Sequence, residues 1–196
     1  AGRDEVKDIA KPLTNHKKEK NYYNVSPTVS PDGSKIAVLS DRSGYMDIYI
    51  LDAVTGKKID RVVKGNRSIN FEELKFLQPG ISWSPDSKRI VIAAKAGAHD
   101  ALYLINVNTG KDEKIDFNLD GVFTASWSPD GKQLASGSID KTIKIWNARN
   151  GAELRTVKGH KGRINAVAIS PDGKKIVFVS NRSDAKGDLY LLDLNK

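Results

Sequence analysis

Cysteine is absent from the 196 residues and methionine occurs once. Without a thiol there is no disulfide framework, no thiolate zinc or iron–sulfur site and no cysteine nucleophile. No apolar run approaches the ~20 residues of a membrane-spanning helix, and the opening stretch Ala1 to Lys20 is polar and charged, so no leader peptide is read there. Long amphipathic helical periods are missing as well. The chain has no Gly-x-Ser-x-Gly elbow, no Gly-x-x-x-x-Gly-Lys-Ser/Thr loop and no Gly-x-Gly-x-x-Gly ahead of a helix. Its histidines, His16, His99 and His160, lie far apart with no ligand spacing, and its aspartates do not follow a calcium-loop order. The expectation is a chain without catalytic residues, metal or cofactor. Lys and Arg outnumber Asp and Glu by 32 to 24, a formal charge of +8. These charges are interleaved everywhere, and the densest basic run, His16-Lys17-Lys18-Glu19-Lys20, is interrupted by a glutamate. That pattern reads as solvated surface, so neither a nucleic-acid nor a membrane partner is expected.

What the chain does have is a repeat. Ser-Pro-Asp-Gly occurs at Ser30–Gly33, Ser128–Gly131 and Ser170–Gly173, with the variant Ser-Pro-Asp-Ser at Ser84–Ser87. After each comes a short apolar run, then a second one: Asp47-Ile48-Tyr49-Ile50-Leu51-Asp52, Ala101-Leu102-Tyr103-Leu104-Ile105-Asn106, Thr142-Ile143-Lys144-Ile145-Trp146-Asn147 and Asp188-Leu189-Tyr190-Leu191-Leu192-Asp193. Runs of this length, rich in Val, Ile and Tyr and bounded by Pro, Gly, Asp and Asn, read as strands. Their weak alternation fits sheets covered on both faces. A period of ~42 residues matches a four-stranded propeller blade.

The fold class that follows is all-β, a β-propeller of four four-stranded blades in a single domain, 1–196. The blades are read at about 21–65, 78–118, 121–158 and 162–196. The last lacks an outer strand, and residues 5–13, with Val6, Ile9 and Leu13, are expected to complete it. The insertion Asn66 to Phe76 is read as a cover over a blade, with one helical turn at Phe71-Glu72-Glu73-Leu74.

Two propeller families are carried by these residues. Ser40-Asp41-Arg42-Ser43 with Asp47-Ile48-Tyr49, and Ser180-Asn181-Arg182-Ser183 with Asp188-Leu189-Tyr190, make units one, two and four resemble TolB-like repeats. Leu134 to Asn147, followed by Gly159-His160, resembles a WD repeat over about residues 128–170. Excising 128–169 joins Trp127 to Ser170 and restores an uninterrupted TolB-like unit, so the chain reads as a chimera left by recombination or by grafting one blade length. The WD resemblance implies a His preceding the inner strand that reaches an Asp in the middle hairpin, beside a Ser or Thr and a Trp. Here Asp140 and Trp146 belong to unit three while His160 precedes unit four, which has Leu192 in place of the Trp. The network is therefore expected to be split, with Trp146 packing and His160 partly solvated.

The TolB resemblance implies an extracytoplasmic setting and protein or peptide contacts, and the WD resemblance implies an interaction platform. A non-enzymatic scaffold is the leading reading; the alternative is a natural TolB-like envelope protein or the accessory propeller of a hydrolase. Four blades leave open ends rich in Ile, Leu, Val and Tyr, so closure is expected, by a homodimer forming an eight-bladed ring in preference to a four-bladed monomer. Binding is expected at one rim, opposite the Pro-Asp-Gly turns, at Arg42, Asn66, Arg67, Asn118, His160 and Arg182.

Overall fold

The structure, a computed structural model, describes residue 13 and residues 22–65, 73–74, 80–96, 99–119, 121–181 and 187–194. Each Ser-Pro-Asp tetrapeptide builds the same turn. In the first, the Gly33 N–H donates to the Ser30 carbonyl at 2.8 Å, the Ser30 hydroxyl donates to Asp32 at 2.6 Å, and the Lys35 N–H returns to that hydroxyl at 2.9 Å. The pattern recurs at Ser84, Ser128 and Ser170. The fourth position must turn through positive φ. Gly33 takes +72° without strain, and Ser87 takes +58° at the corresponding place. The Ser30 hydroxyl, followed by the backbone N–H of Ser34, pulls the Asp32 carboxyl down to about 2. Asp86, Asp130 and Asp172 are lowered in the same way, first by Ser84, Ser128 and Ser170.

These turns connect strands in four antiparallel sheets, as the repeat predicts. Blade 1 holds β1 (Asn24–Val29), β2 (Lys35–Ser40), β3 (Asp47–Asp52) and β4 (Lys58–Val63). Blade 2 holds β5 (Glu73–Leu74), β6 (Ser82–Trp83), β7 (Arg89–Ala96), β8 (His99–Asn106) and β9 (Asp112–Leu119). Blade 3 holds β10 (Val122–Trp127), β11 (Gln133–Ser138), β12 (Ile143–Asn147) and β13 (Glu153–Val157). Blade 4 holds β14 (Ile164–Ile169), β15 (Lys175–Asn181) and β16 (Gly187–Asp193). The expected completing segment 5–13 lies outside the described residues, apart from Leu13.

One local expectation is corrected. Glu73 and Leu74 form no helical turn but pair with Lys95 and Ala94, so the inner strand of blade 2 comes in two pieces, β5 and β6, both on β7. The eight-residue β7 offers more backbone donors and acceptors than the two residues of β6 can meet, and β5 meets two more of its residues.

The core lies between blades. Leu39, Ile48 and Ile50 of blade 1 cluster with Ile90, Ile92, Tyr103 and Ile105 of blade 2. On the other face of blade 2, Val91, Leu102 and Leu104 meet Trp127, Leu134 and Trp146 of blade 3. Ile143 and Ile145 then meet Ile164, Ile176 and Phe178 of blade 4. Alternate residues of one strand thus serve two different interfaces, which is why the strands read as continuously apolar. Polar links tie inner strands together: the Trp83 indole N–H donates to the Thr28 carbonyl at 3.1 Å, and the N–H groups of Trp127 and Ile169 donate to the Ser82 and Ser126 hydroxyls at 3.4 Å.

Two outcomes are expected. A Cβ at Gly33 would meet nothing within 4 Å, so Gly33→Ala costs only the positive φ, about 1 kcal/mol in a denaturant titration. The turn aspartates stay ionised in the fold below the 3.8 of a free Asp, so the stability they contribute is complete above that value and is lost as pH falls toward about 2. Circular dichroism in acid should show this loss, and replacing the four aspartates by Asn should flatten it.

Candidate functional site

An antiparallel meander separates its connections into two ends. The Ser-Pro-Asp turns and the third-to-fourth-strand turns share one end. The β2–β3 hairpin and its equivalents, together with the links between blades, share the other. Arg42, in the β2–β3 turn, and His160, between β13 and β14, therefore occupy the same rim but belong to the first and fourth blades. Asn118 stands within β9 rather than in a loop, because the outer strand runs on to Leu119. Asn66, Arg67 and Arg182 lie outside the described residues.

Arg42 is engaged by its own blade. Its guanidinium carbon sits 4.6 Å from the Tyr22 ring centroid and 4.8 Å from that of Tyr49. Its Nε donates to Ser40 Oγ at 3.3 Å and Nη2 reaches Asn24 Oδ1 at 3.5 Å. Beside it, the buried Asp47 carboxylate accepts from Gly65 N–H at 2.8 Å, Arg61 Nη1 at 3.1 Å, the Tyr49 hydroxyl at 3.1 Å and the Ser43 hydroxyl. This network holds the rim of blade 1 shut and leaves little for a ligand.

The rim of blades 3 and 4 is different. In blade 3 the Trp146 indole N–H donates to Ser136 Oγ at 2.9 Å, and both residues are buried. Trp146 thus does more than pack: an indole nitrogen taken out of water needs an acceptor. Asp140 accepts the Thr142 N–H at 2.9 Å and its hydroxyl at 2.7 Å. His160 stays with blade 4. Its ring meets Phe178 edge-on at 4.6 Å, and Phe178 stacks on Tyr190 at 5.2 Å. Phe178 occupies the register position that Ser136 holds in blade 3, so the histidine finds a ring where a hydroxyl would be. The network is divided between blades as expected. His160 is half-buried, but its Nε2 is buried and meets no hydrogen-bond partner. Desolvation lowers its pKa from 6.5.

Two depressions share Gly159 and His160. One, of about 170 Å³, is lined by Lys161, Gly162, Ser180, Asn181 and Tyr190. Next to it, Asn165 Nδ2 donates to Asn181 Oδ1 at 2.6 Å, while Asn165 Oδ1 is buried without a partner. The other is an open groove of about 600 Å³ between the Asp140–Lys144 hairpin and strand β13 with the following Lys158. Within it, Glu153 is held low by Lys144 at 2.6 Å, and then by the Thr156 hydroxyl. Lys141 and Lys158 remain exposed. Of this constellation only His160 is legible as a binding position from sequence. The lysines flank a hairpin and a strand that become neighbours only across the sheet, and no local signal marks them. Among the described residues no group of three or more His, Asp or Glu is arranged to hold a metal ion.

Comparison with known proteins separates the chain in the same two styles. The family model described as TolB beta propeller domain matches residues 5–153, and that described as WD domain, G-beta repeat matches 151–185. The WD match thus takes in β13, His160, β14 and β15, straddling blades 3 and 4. The chain is 26% identical over 175 residues to the uncharacterized peptidase YuxL of Bacillus subtilis, covering 85% of this chain and 24% of that protein. It is 41% identical over 56 residues to the human U5 small nuclear ribonucleoprotein 40 kDa protein, covering 29% of this chain and 16% of that one. The crystal structure of TolB from Acinetobacter baumannii superposes with a TM-score of 0.70 at 25% identity, over 89% of this chain and 42% of TolB. The chain therefore spans about a quarter of the peptidase and under half of TolB.

Because the folded pKa of His160 lies below its unfolded value, its contribution is complete above 6.5 and is lost as pH falls below it. Urea midpoints should therefore drop between about pH 8 and 5, and less so in His160→Leu. Trp146→Phe leaves the Ser136 hydroxyl buried without its donor and should cost about 1–3 kcal/mol.

Proposed function

The chain belongs to the TolB β-propeller family, and from that premise we propose that it is a non-enzymatic protein-interaction scaffold whose binding surface is the groove beside His160. The observation that carries this is the charge arrangement of the groove. Lys144 is paired with Glu153, and Asp140 is taken up by Thr142, while Lys141 and Lys158 stand free to solvent. An extended protein segment bearing carboxylates matches it: the open groove runs between a hairpin and a strand, and the lysines offer charge without a fixed fork geometry. The WD-type match over 151–185 contributes part of this rim, and the relatives of this chain include a subunit of a small nuclear ribonucleoprotein. The junction of two family styles at residues 151–153, with Ser-Pro-Asp-Gly-Lys at both Ser128 and Ser170, supports a recombined origin in which one blade length was exchanged. The reading includes pairing of two chains into one ring.

A second reading is an accessory propeller that screens peptides for a hydrolase, favoured by the alignment with the peptidase from Bacillus subtilis across 85% of this chain.

Fluorescence anisotropy with a labelled peptide of alternating Glu and Tyr tests the groove. Binding should weaken as salt is added and fall at least about tenfold in the Lys141→Glu/Lys158→Glu variant, a change of ~1.4 kcal/mol. Binding that ignores both salt and the substitutions would exclude the groove, and hydrolysis of the peptide by the purified chain would exclude a non-enzymatic scaffold.

A further inference from the structure

The two ends of the four-blade row are unequal, and each lacks what the other carries. Register makes Leu102 of blade 2, Ile143 of blade 3 and Leu189 of blade 4 equivalent, and likewise Leu104, Ile145 and Leu191. In blades 2 and 3 these side chains are at most 4% exposed, because the next blade covers them. Leu189 and Leu191 are 72% and 64% exposed. The inner strands show the same break. Trp83 and Trp127 are 6% and 5% exposed, whereas the equivalent Val29 at the start of the row is 58% exposed. Ala168, at the place where Ser82 and Ser126 receive the next inner strand, faces solvent. Among the described residues, blade 4 packs on β10 and β11 of blade 3, with no comparable packing onto blade 1.

A second observation identifies the occupant. Between blades 1 and 2 and between blades 2 and 3, the glycine of the turn after the third strand lies against the outer strand of the preceding blade. A Cβ on Gly151 would lie 2.8 Å from Ile115 of β9, and one on Gly110 3.9 Å from the Val62 carbonyl of β4. Gly56 of blade 1 has no preceding blade in the row, yet its Cβ would lie 2.2 Å from the Leu13 carbonyl. Leu13 therefore holds the position of an outer strand belonging to a blade ahead of blade 1. Blade 4 is the blade in which only three strands are described, with β16 at its edge.

We infer that the apolar outer face and β16 edge of blade 4 are the docking surface for a second copy of this chain, which brings its blade 1 and the segment leading to Leu13. The inference rests on the scaffold reading of two chains in one ring, and deepens it by naming the surfaces. Val29 of one copy then meets Ala168 of the other, and the backbone before Leu13 supplies the fourth strand to β16. Val38, Tyr49 and Leu51, on the same side of blade 1, are already buried within the single chain. Two such contacts related by a two-fold axis close the ring and leave no apolar face open.

Light scattering and sedimentation of the full chain test this with two variants. The wild type should weigh twice the 21.5 kDa chain. Leu189→Lys/Leu191→Lys, at the blade 4 end, and Val29→Lys, at the blade 1 end, should each give a folded single-chain species. An equimolar mixture of the two variants should recover the doubled mass, because one intact blade 4 then faces one intact blade 1. A single-chain wild type, an open-ended ladder of masses, variants that remain paired, or a mixture that stays single would each overturn the inference. So would loss of β-sheet circular dichroism in the leucine variant, since that would place both side chains inside one chain. Acidic-peptide binding by the single-chain variants separates the two ideas: it survives if only the docking surface is wrong and disappears if the rim groove is wrong.

Discussion

Apolar side chains packed face to face between successive four-stranded sheets are what the rest of this structure depends on. No blade buries both its faces by itself, since each sheet is a single layer and its core is made only with a neighbour. Leu102 and Leu104 are buried because blade 3 exists, and Ile164, Ile176 and Phe178 because blade 3 precedes them. Such stability is shared along the row, so an end without a neighbour is an energetic fault as well as a surface. Leu189 and Leu191 make that fault visible, and removing their apolar area from water is the driving force for any closure.

Polar groups set the geometry within which that packing occurs. The Ser-Pro-Asp turn satisfies its own donors and acceptors locally, so it forms whatever surrounds it, and it recurs in all four blades. The middle strands are locked differently in two of the blades. Blade 1 uses a buried carboxylate, Asp47, met by Tyr49, Arg61 and Ser43, whereas blade 3 uses the indole of Trp146 on Ser136. His160 lies in the WD-type stretch, which runs on through β14 and β15, and its ring meets Phe178 and Tyr190 of the blade it introduces. One nitrogen of this histidine is buried and unmatched, and the ring lies at the groove read as the binding surface.

Much of the fold was legible because its signals are local. The tetrapeptide fixes turn positions to the residue, the apolar runs between turns fix strand positions, and the spacing fixes the blade. The third strand of blade 1 falls where the apolar run predicts it, at Asp47–Asp52. The insertion was misread where local composition misleads: Phe71-Glu72-Glu73-Leu74 has helical composition, yet Glu73 and Leu74 join a sheet because β7 presents an unmet edge. The site was legible only in part. Arg42 carries the charge suited to an anion, but its use by Tyr22 and Tyr49 depends on how the chain folds around β1, β2 and β3. Lys141 and Lys158 carry no mark in the sequence, and become a pair of interest only when β12 and β13 lie side by side.

The residue order by itself determined the number of blades, the turn chemistry, the two family styles and the absence of any thiol chemistry, because each follows from a short pattern or from composition. Tertiary structure alone decided which faces stay open, where Leu13 lies against Gly56, and which charges around His160 remain free. Those properties arise from contacts between segments far apart in the chain, and no local pattern encodes whether a given apolar face will find its neighbour.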